Sequence, residues 1–235
     1  MKVCIVVPIY NEAAIARESI EVILQYTRRL PPVVTLVVVN DGSKDDTVSK
    51  IREAAGGLDE NEFVLISHPV NKGYGAALRT GMLYAFESGY DYALFMDSDL
   101  TNHPKYLKDF YDKMIEGWDY IKATRYSKGG SVEGVPLKRY LISKYGNLFA
   151  RIVTGLPLTD ITNGFRAVKV DILRQLNLTE NHFSIIVEEI MKASKITDSF
   201  CEIPNILGTR DKTARPTKFT YDPKTFWKYF KYLFI

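Results

Sequence analysis

The sequence has 235 residues, 46% of them hydrophobic and 25% charged, which is ordinary for a soluble globular protein of one or two domains. Its net charge of +3 is too small to predict nucleic acid as the main partner, and no run approaches the ~20 apolar residues that cross a bilayer. No secretory signal is visible, and Cys4 and Cys201 lie in apolar, strand-like segments, so we expect free thiols and a cytoplasmic location.

The first half of the chain alternates strand patterns with helix patterns. Short β-branched runs predict buried strands at 2–12, 33–43, 62–68, 91–99 and 120–126. Apolar residues at helical spacing predict helices at 13–30, 47–55 and 74–88, and His103-Pro104 predicts the start of a fourth. Elements that alternate in this way imply an α/β fold with a mainly parallel twisted sheet, flanked by helices and joined by right-handed crossovers.

Polar clusters follow three of the predicted strands, at residues 8–12, 40–42 and 97–99. Ligands of open parallel sheets bind at the carboxyl ends of the strands. The three clusters are therefore expected to converge on one rim, and together they support a site there better than any one of them alone.

The second half of the chain is less regular. Its patterns predict helices at 137–154 and 182–195, strands at 165–170 and 200–207, and a polar, basic loop over 208–223. Residues 222–235 interleave aromatic rings with lysines. Such a segment suits a helix lying in the plane of a bilayer interface, and it suits equally well a terminal helix that packs on the domain.

Asp97-Ser98-Asp99 follows a continuously apolar strand. Two carboxylates this close repel each other unless a cation lies between them. Mg²⁺ is usually held by one or two carboxylates together with substrate phosphates, which makes Asp97 and Asp99 candidate metal ligands. The alternative is a solvated turn that caps the next helix, and the neighbouring polar clusters favour the metal site.

Two further motifs point to a nucleotide, although each also suits an ordinary turn before a helix. In residues 40–47, Asp41 is a candidate acceptor of hydrogen bonds from a base or ribose. In residues 70–81, Lys72 or Arg79 would face a phosphate, assisted by the amide groups at the start of the predicted helix.

Six motifs occur in order along the chain: VVPIYNE, NDGSKDDT, NKGYGAALRTG, MDSDLTNHP, ATRYSKGG and TDITNGFRAVK. The set resembles the family 2 inverting glycosyltransferases with the GT-A fold, and within them the dolichyl-phosphate (polyprenyl-phosphate) mannose synthase group. The resemblance runs from Val6 to about Lys218. It implies a GT-A glycosyltransferase domain over 1–220, followed by an amphipathic aromatic and basic segment at 221–235.

The resemblance also implies roles for individual residues. The family's nucleotide pocket is matched by Pro8, Tyr10, Glu12 and Asp41. Its metal and diphosphate motif is matched by Asp97 and Asp99, with Mg²⁺ or Mn²⁺ as the implied cofactor. The polar positions around its sugar and acceptor phosphate are matched by Arg125, Arg139, Ser143, Arg210 and Lys218. Of all these residues, we expect catalysis to depend on Asp99, Arg125, Arg139 and Arg210.

Two positions depart from the family pattern. Thr101 stands where the family often has a glutamine after the second acidic residue, so the metal shell is expected to differ. The spacing of basic residues before Lys218 is also altered, which leaves the match of Lys218 open.

The implied reaction is inverting, metal-dependent transfer of a hexose from a nucleotide sugar to a polyprenyl phosphate, by an enzyme peripheral to the cytoplasmic face of the membrane. A lipid monophosphate has a second pKa of about 6 and is already largely ionised, so no general base is required. Arginines would instead offset the phosphate charge. Glu188 or Glu189, a candidate base in relatives that glycosylate hydroxyls, is expected here to hold the acceptor-side loop through arginine hydrogen bonds.

Alternatives remain for donor and function. GDP-mannose is the favoured donor, with UDP-glucose or another UDP-hexose as the alternative. A nucleotidyltransferase is less favoured, because the first strand is followed by residues 8–12 and not by a glycine-rich basic signature. A membrane-docked subunit that binds a nucleotide sugar without turnover is the non-catalytic alternative.

Overall fold

The computed structural model describes residues 1–31, 34–210 and 223–234. Its main strands are β1 (Val3–Ile9), β2 (Val34–Asn40), β3 (Phe63–Ser67), β4 (Tyr92–Phe95), β5 (Tyr120–Thr124), β7 (Arg166–Lys169) and β8 (Phe200–Pro204). They form one sheet in the order β3-β2-β1-β4-β7-β5-β8. Neighbouring strands pair in parallel, except that β7 is antiparallel to both β4 and β5. The predicted α/β class with a mainly parallel sheet is confirmed.

Apart from a short helix at Val170–Gln175, which was not predicted, the helices agree with the predicted segments to within a few residues. They are α1 (Ala13–Thr27), α2 (Thr47–Ala54), α3 (Tyr74–Glu87), α4 (Leu107–Ile115), α5 (Leu137–Thr154), α6 (Val170–Gln175), α7 (Ile185–Ala193) and α8 (Pro223–Phe230). Short 3₁₀ helices at Pro104–Tyr106 and Lys231–Phe234 and a parallel ribbon of β6 (Ser131–Val132) with β9 (Ile206–Leu207) complete the elements. The helix predicted from His182 begins at Ile185, because the preceding residues form a turn.

The sheet is buried on both faces, as its almost continuously apolar strands require. In β1, Cys4 and Val6 pack into the hydrophobic cluster on one face, whereas Ile5 and Val7 pack into the cluster on the other. Successive side chains of a strand point to opposite faces, which explains this alternation. Buried residues of α3 and α7 cover the first face, and those of α1 and α4 cover the second.

The loops that follow β1 and β2 are tied to each other at the rim of the sheet. The Asn11 amide donates to Ser43 Oγ at 2.9 Å, and the Lys44 amide donates to Asn11 Oδ1 at 2.8 Å. The Glu12 amide donates to Thr47 Oγ1 at 2.8 Å. These bonds hold the buried Glu12 side chain beside the carboxyl end of β1.

Within the described ranges, no helix combines the length and the apolar character that crossing a membrane requires. Most of the predicted loop over 208–223, including Lys218, lies outside those ranges.

Candidate functional site

The Asp97-Ser98-Asp99 segment follows β4 after a single residue, Met96, at the rim of the sheet. Tyr74 donates its hydroxyl to Asp97 Oδ1 at 2.9 Å. Leu100 has a φ of 57°, a left-handed conformation that is rare for a branched residue and concentrates at functional sites. Gly164 is also close, and a Cβ placed on it would lie 3.2 Å from Asp97 Oδ2 and 3.2 Å from the Tyr74 hydroxyl. The Asp97 carboxylate is therefore closely fixed by its surroundings.

The negative charge of ionised Asp97 is disfavoured by its surroundings. Burial and then the neighbouring Asp99 charge raise its pKa from 3.8 to about 6, and the Tyr74 hydrogen bond lowers it only in part. Since burial and a like charge both disfavour the carboxylate, a cation bound at this position would stabilise it.

Asp99 and Glu12 share one arginine. Arg210 donates from Nη1 to Asp99 Oδ2 at 3.0 Å and from Nη2 to Glu12 Oε1 at 2.5 Å. The other Asp99 oxygen accepts the Thr101 hydroxyl at 2.7 Å. The contacts gather three predicted site residues at one point, and Thr101, which replaces the family's usual glutamine, binds the acidic motif directly.

The acidic motif fits a divalent cation that also binds the substrate. No group of three or more His, Cys, Asp or Glu side chains that could enclose a metal is present in the part of the chain that the structure describes. Mg²⁺ sites commonly need fewer protein ligands, since one or two carboxylates combine with substrate phosphates and water. Asp97 and Asp99 supply that set, with hard oxygen atoms suited to Mg²⁺ or Mn²⁺.

Arg125 is held by a fully buried carboxylate that the sequence interpretation missed. Asp160 accepts Arg125 Nε at 2.6 Å and Nη2 at 2.8 Å, and the Asp160 side chain has no exposed surface. Burial alone would raise the pKa of Asp160, but the charge and hydrogen bonds of Arg125, together with the Lys122 charge, lower that pKa. Asp160 also accepts the amides of Thr162 and Asn163, so one side chain orients the arginine and shapes the 160–163 turn.

A cavity of about 700 Å³ opens beside this arginine. Its polar lining includes Asp97, Arg125 and Ser143, and Ser143 accepts the Tyr126 hydroxyl at 2.7 Å. The rest of the lining is mainly apolar and comes from α5, α7 and the C-terminal segment, with Ile142, Phe149, Ala150, Ile186, Val187, Trp227, Phe230 and Leu233 among its residues. The cavity thus joins the acidic rim to a long apolar wall.

Arg139 lies two residues after the start of α5 and is exposed. It does not line the cavity, although Ser143, one helical turn further on, does. Of the basic residues predicted near an acceptor phosphate, the structure brings Arg125 to the cavity and Arg210 to the acidic motif, whereas Lys218 is not described.

Asp41, which was predicted to contact the nucleotide, is buried at the rim of the sheet. Its carboxylate is saturated: Oδ1 accepts the Lys72 amide at 2.8 Å and His68 Nδ1 lies 2.7 Å away, while Oδ2 accepts the Gly73 amide and Asn71 Nδ2, both at 2.9 Å. Contact with a base or ribose would require one of these bonds to be replaced. In this conformation Asp41 fixes the 71–73 loop that leads into α3.

The other residues predicted to contact the nucleotide lie in or next to β1, in the 71–73 loop and in α3. Pro8 is buried in β1, Tyr10 is half-buried just beyond it, and the Lys72 side chain is exposed. Arg79 donates instead to the Glu180 carbonyl and to Asn181 Oδ1. A phosphate contact by Arg79 would require the arginine to leave this segment.

Two buried basic residues adjoin the site without having been predicted. Arg166 pairs with Glu189, donating from Nε to Oε1 at 2.6 Å, and neither side chain is exposed. Lys122 donates to the Asn163 carbonyl, and burial followed by the Arg166 charge lowers its pKa to about 7. Glu189 thus binds an arginine, as was expected of one glutamate of that pair, but the arginine lies in β7 and not in the acceptor-side loop that the glutamate was expected to hold.

In the sequence, the only indication that these residues belong to the site was the motif in which most of them lie. Asp160, Asn163 and Arg166 all lie within TDITNGFRAVK, and Lys122 lies in a strand otherwise rich in apolar residues. A charged residue in a buried strand requires a partner, but the sequence does not identify that partner.

Comparison with known proteins places the chain in a family. The model described as glycosyl transferase family 2 matches residues 4–176. Polyprenol monophosphomannose synthase of Mycolicibacterium smegmatis is 32% identical over 176 residues, which cover 74% of this chain and 64% of that protein. Undecaprenyl-phosphate mannosyltransferase of Micrococcus luteus is 31% identical over 208 residues, which cover 87% and 82%. The chain thus spans less than two thirds of the first of these relatives.

Solved structures give the same fold. Glucosyl-3-phosphoglycerate synthase from Mycobacterium tuberculosis, in complex with Mg²⁺ and UDP, has a TM-score of 0.65 at 22% identity, covering 92% of this chain and 72% of that one. The same enzyme with Mn²⁺, UDP-glucose and glycerol 3-phosphate has a TM-score of 0.66 at 21% identity, with coverage of 92% and 73%. The predicted GT-A fold is therefore confirmed, and the chain belongs to glycosyl transferase family 2, the enzyme family that its motifs predicted.

Proposed function

We propose that this chain transfers a hexose, with mannose from GDP-mannose as the favoured donor, to a polyprenyl or dolichyl phosphate. Transfer inverts the configuration at the anomeric carbon of the sugar. An oxygen of the acceptor phosphate forms a bond to this carbon as the bond from the carbon to the donor diphosphate breaks, and the electron pair of the broken bond leaves with the nucleoside diphosphate. Residues 1–220 would carry the reaction, and residues 221–235 would form an amphipathic segment beside it.

The cavity is the observation that carries this proposal. Its polar end holds Asp97 and Arg125, and its apolar length offers hydrocarbon contacts from α5, α7 and the C-terminal segment. A ligand that fits both parts carries an anionic head on an apolar chain. Burying such a chain contributes roughly 25 cal/mol per Å² of apolar surface, which a soluble sugar acceptor could not use.

Arg125 is suited to the acceptor phosphate. Asp160 holds two of its nitrogen atoms, so the guanidinium is oriented before the substrate arrives. Fixed cationic donors stabilise developing or transferred negative charge without reorganisation at the moment of reaction. Because the acceptor phosphate is already ionised, with a second pKa of about 6, the site needs charge compensation and no general base.

A divalent cation, Mg²⁺ or Mn²⁺, would be held by Asp97 and Asp99. When bound, it would neutralise charge on the donor diphosphate and assist its departure as a Lewis acid. Arg210 already bridges Asp99 and Glu12, so it would lie beside the same diphosphate and balance the acidic cluster. The raised pKa of Asp97 is consistent with a carboxylate whose charge is completed by a cation.

The relatives support the acceptor class and the sugar. The names of both relatives describe transfer of mannose to a lipid phosphate, that of a polyprenol in one and undecaprenyl phosphate in the other. The donor base is less constrained, because Asp41 is enclosed by its own loop. A UDP-hexose donor is therefore the alternative, and the M. tuberculosis structures with UDP show the fold only.

The surface around the cavity supports a peripheral location at the cytoplasmic face of a membrane. Along α5, one exposed stripe is apolar and contains Leu137, Tyr145, Leu148 and Ile152, which are 69%, 61%, 49% and 73% exposed. The same helix has four basic residues, Lys138, Arg139, Lys144 and Arg151, and no acidic one. Apolar side chains beside lysine and arginine suit the surface of an anionic bilayer.

The C-terminal segment continues this surface. Trp227 and Phe234 are 66% and 62% exposed, whereas Tyr232 is buried against the domain. Phe230 stacks near Phe149 of α5, with ring centroids 6.2 Å apart. Both expected uses of the segment are thus compatible, since one side packs on the domain and the other is available to lipid.

Acceptor discrimination tests the proposal. Purified protein would receive labelled GDP-mannose or UDP-glucose with Mn²⁺, and either a polyprenyl phosphate or the matching unphosphorylated polyprenol. We expect product with the phosphate only and from one donor. Equal transfer to the polyprenol would contradict the assignment of Arg125 to an acceptor phosphate, and binding of a nucleotide sugar without turnover would favour the non-catalytic subunit.

A further inference from the structure

The C-terminal segment forms one wall of the cavity. Trp227, Tyr229, Phe230 and Leu233 line it, and Tyr232 turns inward to 8% exposure. An eight-residue helix such as α8 is marginal by itself in water. Its position as a wall must therefore depend on contacts with the rest of the domain.

Glu180 provides a polar contact for this segment. Its Oε2 lies 3.3 Å from Lys231 Nζ and accepts the Tyr232 hydroxyl at 3.2 Å. Lys231 also lies over the Tyr232 ring, 4.5 Å from its centroid. Burial would raise the pKa of Glu180, but the hydrogen bond and charge of Lys231, together with other hydrogen bonds to the carboxylate, lower that pKa, so the carboxylate is ionised in this contact.

The residues around Glu180 are themselves fixed. Glu188 accepts the Glu180 amide at 2.9 Å and the Thr179 amide at 3.0 Å, and it pairs with Lys192 at 2.7 Å. Arg79 of α3 donates to the Glu180 carbonyl. The Glu180 carboxylate, which contacts Lys231, thus belongs to a segment that several hydrogen bonds hold in place.

The same segment contacts the nucleotide side of the site. The Gly75 amide donates to the Asn181 carbonyl at 2.9 Å. A Cβ on Gly73 would lie 2.5 Å from the Asn181 carbonyl oxygen, and one on Gly75 would lie 2.2 Å from the Glu180 carbonyl oxygen. Only glycine permits this approach, and Gly73 is also held by Asp41. Continuous contacts therefore connect the Asp41 loop to the cavity wall.

We propose that Glu180 is a positioning residue for the acceptor: it fixes the C-terminal segment as a wall of the cavity and ties that wall to the start of α3. The identity of the acceptor as a lipid phosphate rests on the proposed function. Glu180 does not touch the reacting atoms in this assignment. It determines how well the apolar chain of the acceptor is enclosed.

The first test measures the wall without measuring activity. Hydrogen exchange of the peptide covering 223–234 would be compared in the wild type, Glu180→Ala, Lys231→Met and the double variant. We expect faster exchange confined to that peptide, with the double variant no faster than Glu180→Ala, because that single variant already loses both the Lys231 and the Tyr232 contact. Unchanged exchange in all variants would overturn the proposal. Lys108→Met and Asp112→Ala, which break an exposed pair on α4, are the matched controls.

The second test separates binding from chemistry. Loss of one half-exposed ion pair with its hydrogen bond is expected to raise the KM for a long polyprenyl phosphate about three- to tenfold. The KM for a short, water-soluble prenyl phosphate, the KM for the donor and kcat are expected to stay close to wild type. Equal increases for the long and short acceptors would overturn the proposal, as would a fall in kcat alone.

Tyr232→Phe gives an independent variant that removes a single hydroxyl and keeps the ring buried. It is expected to change exchange and long-chain KM in the same direction as Glu180→Ala. Absence of transfer by the wild type would instead refute the proposed function. The exchange experiment would then still test, without any activity measurement, whether Glu180 fixes the C-terminal segment.

Discussion

Asp97 is a carboxylate whose ionised form the surrounding residues disfavour. The strand before it is apolar and buried, Asp99 lies two residues away, and its pKa rises to about 6. In the metal-free protein, the raised pKa means that the protonated form of Asp97 stabilises the native state relative to the unfolded state. That contribution is fully present below the ordinary pKa of 3.8 and is lost as the pH rises through about 6.

Asp97→Asn should therefore stabilise the metal-free protein near neutral pH. The expected gain in unfolding free energy is about 1–3 kcal/mol at neutral pH, shrinking toward zero at about pH 4. Denaturant unfolding with EDTA at the two pH values would measure it. Mn²⁺ should raise the stability of the wild type at neutral pH and leave the variant unchanged; an equal response in both would contradict the metal assignment.

Asp160→Asn tests whether the buried carboxylate orients Arg125. Asparagine keeps the shape but removes the charge that pairs with the guanidinium. Misplacing a substrate-binding group commonly costs about tenfold to hundredfold, here expected in the KM for the acceptor with the donor KM unchanged. Steady-state kinetics would measure both constants.

Asp119→Asn is the matched control for that substitution. Asp119 pairs with Lys169 at 2.6 Å at the opposite end of β5, far along the strand from Arg125. A similar loss of acceptor affinity in this control would show that the effect of Asp160→Asn is not specific to the cavity.

At the scale of elements, α5 is unusual because an 18-residue helix buries only Asn147 and Ala150. A helix that packed on a core alone would bury a broad apolar stripe. Here one side lines the cavity, and the exposed side combines an apolar stripe with four basic residues. This is the arrangement expected if, as proposed, α5 lies between a membrane surface and the cavity that takes the acceptor.

The pair of substitutions Leu148→Glu and Ile152→Glu is expected to weaken binding to anionic vesicles at least about tenfold, through lost apolar insertion and added repulsion. Vesicle co-sedimentation would measure this change. Leu83→Glu with Ile115→Glu places the same charges at positions that are 54% and 65% exposed elsewhere. If both double variants bind vesicles as the wild type does, α5 is not the membrane surface.

The sequence predicted the elements that follow local patterns and missed those that depend on distant partners. The apolar run before Asp97 and the helical spacing of α5 located both elements well. The direction of β7 was not predictable in this way, because the residues of a buried strand are alike in either orientation and the long connection through α5 sets its direction.

The candidate site divides in the same manner. The rim residues Asp97 and Asp99 were predicted because they come immediately after an apolar run. The support of Arg125 by Asp160, and the contact of Glu180 with Lys231, join residues that are far apart in sequence. No periodicity or spacing encodes such a pair, so only the folded chain reveals it.

At the scale of the molecule, one buried ion pair connects the centre of the sheet to the helix layer. Arg166 of β7 pairs with Glu189 of α7, and Tyr120 of β5 donates to the same carboxylate at 2.7 Å. The guanidinium also lies 4.4 Å from the centroid of the Phe95 ring in β4. Three strands and a helix thus meet at one satisfied charge pair.

Glu189→Gln would leave the Arg166 charge buried without its counter-ion. The expected loss is about 3–5 kcal/mol of unfolding free energy, measured by denaturant titration. Replacing both partners, with Arg166→Met and Glu189→Leu, should recover most of that loss because neither charge of this pair remains to be buried without its partner. A stable Glu189→Gln protein with altered donor or acceptor affinity would instead indicate a direct function in the site.

The central claim is that the chain moves a sugar onto a lipid phosphate. Its most direct test is the transfer of label from GDP-mannose into an organic-extractable polyprenyl phosphate by the purified protein with Mn²⁺, with Asp99→Ala and EDTA in parallel. We predict a labelled lipid from the wild type alone, lost with the variant and with EDTA. Labelled lipid that persists in Asp99→Ala would contradict the metal site, and no labelled lipid from GDP-mannose or UDP-glucose would contradict the proposed reaction.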